Sequence, residues 1–156
     1  MSGIAGLSAM LNTISAAALI VSVCLLLHVA GILLMAEWLL RHREYLGQRA
    51  GWMRHTVLLI LLFSGIMFLH IVETNLWAGF YYGRGLFNDY ETSLYFSLTS
   101  YTTIGYGDVL LPQRWRLLGA IEGISGVLLC GISTAFIFAV LTAMLQMQRN
   151  QKPQTL

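Results

Sequence analysis

Residues 102–108 read TTIGYGD. Two glycines flank a tyrosine, two threonines stand before them and an aspartate follows, a composition that suits neither a helix nor a strand. An extended strand alternates the direction of its carbonyls. A segment that aims consecutive carbonyls the same way therefore needs left-handed dihedrals at some positions, which glycine adopts without steric penalty. Gly105 and Gly107 occupy such alternate positions. A column of carbonyls of this kind can replace the water shell of an ion. Thr103 adds a hydroxyl beneath that ladder, Tyr106 turns outward to wedge the loop against surrounding aromatics, and Asp108 leaves a negative charge at one mouth.

The elements that position this loop must be apolar. Of the 156 residues, 57% are hydrophobic and only 10% charged, against roughly 25% charged in soluble domains. Residues 1–36 contain no Asp, Glu, Lys or Arg, more apolar surface than a soluble domain of this size can hide. The chain reads as an all-α integral membrane protein. A cleaved signal peptide would begin with positive charge, and MSGIAGLSAMLNTISAAALIVSVCLLL has none, so this segment is expected to remain as a membrane helix. The net charge of +2 is too small to suggest a nucleic-acid partner.

A spanning helix needs about 20 apolar residues, and three segments meet this, roughly 13–40, 55–78 and 115–147. Arginines concentrate between the first two, in RHREYLGQRAGWMRH (Arg41, Arg43, Arg49, Arg54), and Arg149 and Lys152 follow the third. The positive-inside rule puts that loop and the C-terminus in the cytoplasm and the N-terminus outside, with the aromatics of LWAGFYYGRGLF at the outer headgroups. The arginines set topology and can touch anionic lipid. Between the second and third segments, Asn88 is the expected helix N-cap with Glu91 in capping-box position. The helix that follows runs about a dozen residues, about 20 Å, too short to span. It is expected to re-enter the bilayer and turn back through TTIGYGD, because irregular backbone at that depth is tolerated only where protein buries it or water lines it.

In this order (capped short helix, T-T-I-G-Y-G-D, flanking spanning segments) the chain resembles the pore of potassium channels, whose carbonyl filter is a general example of ion selectivity. The likeness covers roughly residues 55–147, and the outline is similar to small prokaryotic channels with one pore loop per chain. The resemblance implies that Thr103, Ile104, Gly105 and Tyr106 present the potassium-binding carbonyls, with Gly107 at the outer exit and Asp108 at the outer mouth. Ile104 stands where valine is commoner. Tyr95 and Phe96 occupy positions that hold filter-bracing tryptophans in several members, and Thr99 stands where some hold a glutamate. The short helix would aim its partly negative C-terminal end at a waiting cation. Gly131 matches a glycine that often lets the inner helix bend, with Gly126 as a rival and close helix packing as the plain alternative.

The resemblance divides the chain into an extra N-terminal helix and basic loop (1–54), a pore domain (55–147) and a short tail (148–156). It implies a passive potassium channel with no cofactor beyond the permeant ion. One loop cannot encircle an ion, so the chain would assemble as a fourfold homotetramer in the cell membrane with the extra helix at its periphery. The alternative is a non-conducting accessory or sensory subunit with a pore-like fold. An enzyme would need a convergent nucleophile, base or metal set, and no such set is evident. A voltage sensor needs arginines spaced along a spanning helix, and 13–36 and 56–78 contain none.

The remaining polar residues carry further expectations. His28 and His70 have no partner spaced for metal binding and read as packing histidines, as do Cys24 and Cys130 among apolar neighbours. Glu37 and Glu44 read as local ion pairs with nearby arginines. Glu73 is expected to see water at the outer end of its helix, and Ser133, Thr134 and Phe138 to face a central cavity. Glu122 lies about 14 Å along its helix from Gln113, level with four filter residues of about 3 Å each. A carboxyl there needs hydrogen bonds, and Thr99, Ser100 or Thr102 are the expected partners that would make Glu122 a filter support.

Overall fold

The computed structural model describes residues 2–42 and 52–150. The first-loop residues Arg43, Glu44 and Arg49, and Lys152 of the tail, lie outside the described residues. The described residues are helical with short connections: α1 (Ser2–Arg41), α2 (Trp52–Gly83), α3 (Tyr90–Tyr101) and α4 (Arg116–Asn150), the last preceded by a 3-10 turn at Gln113–Trp115. Three helices, Gly6–Arg41, Trp52–Gly83 and Gln113–Arg149, are long and apolar enough to cross a membrane. Each exceeds the predicted span at both ends, because helical hydrogen bonding continues past the apolar run until a cap or turn ends it. At 1.5 Å per residue, α1 is about 60 Å long against a hydrocarbon core of about 30 Å.

The helix ends have local causes. Gly85 closes α2 in the left-handed region (φ 63°). Its N–H donates to the Tyr82 carbonyl and that of Leu86 to the Tyr81 carbonyl, the paired bonds of a Schellman cap. The cap of α3 is Asp89, not Asn88. The Asp89 carboxylate accepts from the Thr92 N–H at 2.7 Å and the Thr92 hydroxyl at 2.9 Å. A carboxylate offers two acceptor oxygens where an asparagine offers one, and its charge suits the helix N-terminus, so the start shifts by one residue and Glu91 falls in the first turn outside a capping box. These bonds hold the Asp89 carboxyl below the usual carboxylate range.

Helices α1, α2 and α4 pack side by side, and α3 lies between α2 and α4. The buried apolar residues form two clusters. One gathers Trp77, Tyr81, Phe96, Leu118, Cys24 and Leu129 around α3, and the other gathers Leu39, Leu58, Leu62, Val140 and Met144 toward the opposite ends of the long helices. Glu37 pairs with Arg41 at 2.5 Å on the exposed side of α1, an i,i+4 contact of small energetic weight.

Candidate functional site: the loop after the short helix

Helix α3 ends where its sequence turns to Thr and Gly. The Thr102 N–H still donates to the Leu98 carbonyl at 3.2 Å, and the Thr102 hydroxyl donates to the same oxygen at 2.6 Å. The chain then leaves the helix but stays tied to its last turn. The Thr103 N–H donates to the Ser100 carbonyl and the Gly105 N–H to the Thr99 carbonyl, both at 3.0 Å. Thr99 therefore supports the loop through its backbone, while its hydroxyl donates back to the Phe96 carbonyl.

Within the loop, φ is positive at Thr103 (59°), Gly105 (50°) and Gly107 (81°) and not at Ile104 or Tyr106. Left-handed residues at every second position turn carbonyls that a strand would alternate toward a common side. Thr103 was not expected among them. A β-branched residue is disfavoured there, and Thr103 is the one described non-glycine residue in this region. The two bonds from the loop to the helix end fix the backbone on both sides of it. All seven residues of TTIGYGD are exposed in the single chain, with Ile104 at 56% and Tyr106 at 70%. An open groove lined by Thr99, Ser100, Thr103, Gly119, Gly123 and Val127 runs beside the loop between α3 and α4.

The residues expected to support the loop fall into place unevenly. Tyr95 donates to Asp108 Oδ2 at 2.7 Å. That bond holds the Asp108 carboxyl below the usual carboxylate range and raises the Tyr95 phenol. Phe96 is buried against Tyr81, Phe87 and the Gly119 backbone. It braces α3 by packing, with no polar link to the loop. Glu122 is fully buried, but Thr99, Ser100 and Thr102 are not its partners. Tyr81 donates to Glu122 Oε2 at 2.7 Å, and Ser97 Oγ lies 2.5 Å from Oε1. The rotation of α4 about its axis points Glu122 at the middle of α3, one turn short of the loop.

The glycines of α4 also separate. A Cβ on Gly126 would collide with the Tyr101 carbonyl, whereas one on Gly131 would meet nothing. Gly126 is thus the close-packing residue, and α4 runs unbroken through Gly131. Thr134 and Phe138 are exposed, but Ser133 is buried and does not face a cavity. Its hydroxyl oxygen lies 3.0 Å from His28 Nε2 and 3.1 Å from His70 Nε2.

That contact belongs to a polar cluster which the spacing of residues in the sequence did not reveal. His28 Nδ1 is 2.8 Å from Glu73 Oε1, and Tyr101 donates to Glu73 Oε2 at 2.5 Å. Glu73 is 1% exposed and does not see water. Cys24 is buried, and Cys130, on the exposed side of α4, has its sulfur 4.0 Å from His70 Nε2. His28, His70 and Glu73 offer ligand atoms within 4.8 Å of one another. Each of those atoms, however, already has a hydrogen-bonding neighbour in the cluster. The partners lie on different helices, up to 105 positions apart, so motif spacing gives no signal of them. The one available cue was that three ionisable groups fall in membrane-spanning segments.

No curated protein and no solved structure matches the chain. Residues 55–143 match a protein family described as "Ion channel", a span that covers α3, the exposed loop and most of α2 and α4. With more than half of its length in that match, and three helices able to cross a membrane, this chain belongs to the ion channel family.

Proposed function

We propose that the chain is the subunit of a potassium-selective channel, in which residues 55–147 form the pore domain and Thr103, Ile104, Gly105, Tyr106 and Gly107 line the filter. The observation that carries this reading is the alternation of left-handed backbone at Thr103, Gly105 and Gly107 in a loop that the single chain leaves uncovered. Carbonyls turned to one side replace the hydration shell of a dehydrated cation, and they do so only as a ring. Four copies around one axis complete that ring and cover the groove between α3 and α4. The potassium ion is the permeant substrate, and no enzymatic step or cofactor is involved.

The parts around the loop then have consistent roles. The C-terminal end of α3 carries the negative pole of its helix toward the approaching ion. Asp108, held by Tyr95, keeps negative charge at the outer mouth. The arginine-rich first loop supports an orientation with the C-terminus in the cytoplasm and the N-terminus outside.

Potassium flux into liposomes that hold only the purified protein tests the reading. Flux that prefers potassium over sodium is expected, carried by a tetramer; its absence would leave a non-conducting subunit. Gly105→Ala adds a Cβ at φ 50°, about 1–2 kcal/mol per chain repeated around the ring. It should abolish selective flux. Unchanged selectivity in Gly105→Ala would show that this loop is not the filter.

A further inference from the structure

Five side chains from four helices close a ring in the interior, between the two apolar clusters. Glu73 Oε1 meets His28 Nδ1 at 2.8 Å, and His28 Nε2 meets Ser133 Oγ at 3.0 Å. Ser133 Oγ meets His70 Nε2 at 3.1 Å, and His70 Nδ1 meets the Tyr101 hydroxyl at 2.8 Å. Tyr101 returns to Glu73 Oε2 at 2.5 Å, and a longer approach of 3.2 Å from His70 Nδ1 to the same oxygen crosses the ring. His28, Glu73, Ser133 and Tyr101 are buried, and the His70 side chain is 14% exposed.

Proton counting gives this ring one closed state. Without exchangeable protons its five groups carry five negative charges, and its five contacts each accept one proton, so the filled ring is neutral. The proton between Glu73 and His28 can rest on either without opening a contact. A further proton has no vacant contact. It must put both protons on His70, whose ring centroid lies 5.0 Å from that of His28, and give Ser133 Oγ an N–H from each side, whichever of Glu73 and His28 holds the proton between them. The result is net positive charge between two apolar clusters, which is costly without a second carboxylate. The other titratable groups facing the ring are Cys24 from α1 and Cys130 from α4, with Glu122 further along α4. Among the described residues no Lys or Arg pairs with Glu73.

We propose that this ring is a proton-binding latch, in which uptake of one extra proton by the His28–His70 pair opens the contacts at Ser133 and frees α4 from α1 and α2. His70, the partly exposed member, is the point of entry. This gives the N-terminal helix a function, since His28 is its contribution to the closed ring. Ser133 lies two positions beyond Gly131 on the helix that lines the pore in the channel reading. The final step, from a freed α4 to altered conduction, rests on that reading, whereas the latch itself does not.

The test uses the whole protein in two assays. The thermal midpoint in detergent should fall by roughly 5 °C as pH drops from about 7.5 to about 5, the range in which imidazole takes up a proton. In the double variant His28→Gln/His70→Gln, whose amides cannot become charged, this fall should vanish. Ser133→Ala removes the oxygen that joins the imidazoles; it should lower the midpoint at neutral pH and leave little further loss in acid. In liposomes, acid should raise wild-type potassium flux at least about fivefold, and the double variant should lose that response. An acid response of the midpoint that survives in the double variant overturns the latch. Flux that ignores pH in a conducting wild type overturns its coupling to the pore. A latch-like midpoint pattern without flux at any pH supports the latch and overturns the channel reading instead.

Discussion

Two buried carboxyls, Glu73 and Glu122, hold the same bundle in different ways. Both lie in long apolar helices, both are at most 1% exposed, and each accepts from a tyrosine hydroxyl, Tyr101 for Glu73 and Tyr81 for Glu122. At Glu122 the remaining partner is another hydroxyl. The single hydrogen of Ser97 Oγ lies between Glu122 Oε1, 2.5 Å away, and the Thr74 carbonyl, 2.8 Å away. That arrangement is an open chain that ends on backbone. At Glu73 two imidazoles and Ser133 close the chain into a ring that also takes in α1. Hydroxyl partners neither gain nor lose a proton near neutral pH, whereas imidazoles do. The difference separates a carboxyl whose partners are all hydroxyls from one whose partners can themselves be charged. Asp108 is the exposed counterpart, held by Tyr95 from the middle of α3.

The largest expected effect removes the geometry on which both buried sites depend. Gly126 sits one turn beyond Glu122 and against the Tyr101 carbonyl. Backbone cannot move aside as a flexible side chain would. Gly126→Ala should therefore displace α3 and disturb the Tyr101 and Ser97 contacts together. Chromatography should show loss of the assembled species, and flux should be abolished. An assembled, conducting Gly126→Ala protein would mean that the two sites are not tied through this approach.

Next in size is Glu122→Ala, which strands the Tyr81 hydroxyl, leaves Ser97 Oγ with the Thr74 carbonyl alone and opens a cavity. Roughly 3–5 kcal/mol of stability per chain should be lost, read as the shift of a thermal or denaturant transition. Glu122→Gln can still accept from Tyr81 and donate to Ser97, so its cost should stay within about 1 kcal/mol, and it should leave the acid response of the midpoint intact. An acid response abolished by Glu122→Gln would place the responsive proton at Glu122 and not in the ring.

The smallest effect belongs to the exposed pair. The Tyr95 hydroxyl lowers the Asp108 carboxyl in the folded protein. Its contribution is therefore present above the ordinary aspartate range and disappears as pH falls through the lowered folded value. Tyr95→Phe should return Asp108 toward the ordinary aspartate range. Loss of negative charge at the loop end, seen as acid reduction of flux, should then begin at higher pH than in the wild type. No shift would mean that Tyr95 leaves the Asp108 charge unaffected in the assembled protein.

The sequence by itself determined what depends on neighbouring residues along the chain. Charge-free runs mark the three long helices, because an unpaired charge at membrane depth is expensive. The short helix has its length because a capping residue precedes it and Thr and Gly follow it, and Gly105 and Gly107 anticipate their own left-handed dihedrals. Even here, local options of similar energy stayed open. Asn88 and Asp89 both suit a cap, and Thr103 joins the glycines only because the helix end holds it. What the tertiary structure decided is the rotation of each helix about its axis. In a soluble helix the apolar stripe marks the buried face, but lipid tails are as apolar as leucine, so hydrophobic pattern does not separate a core face from a lipid face. For that reason the partners of Glu122 were misassigned, Glu73 was expected in water and Ser133 in a cavity. For the same reason His28 and His70 read as unconnected residues until the packing of α1, α2 and α4 brought them to one serine.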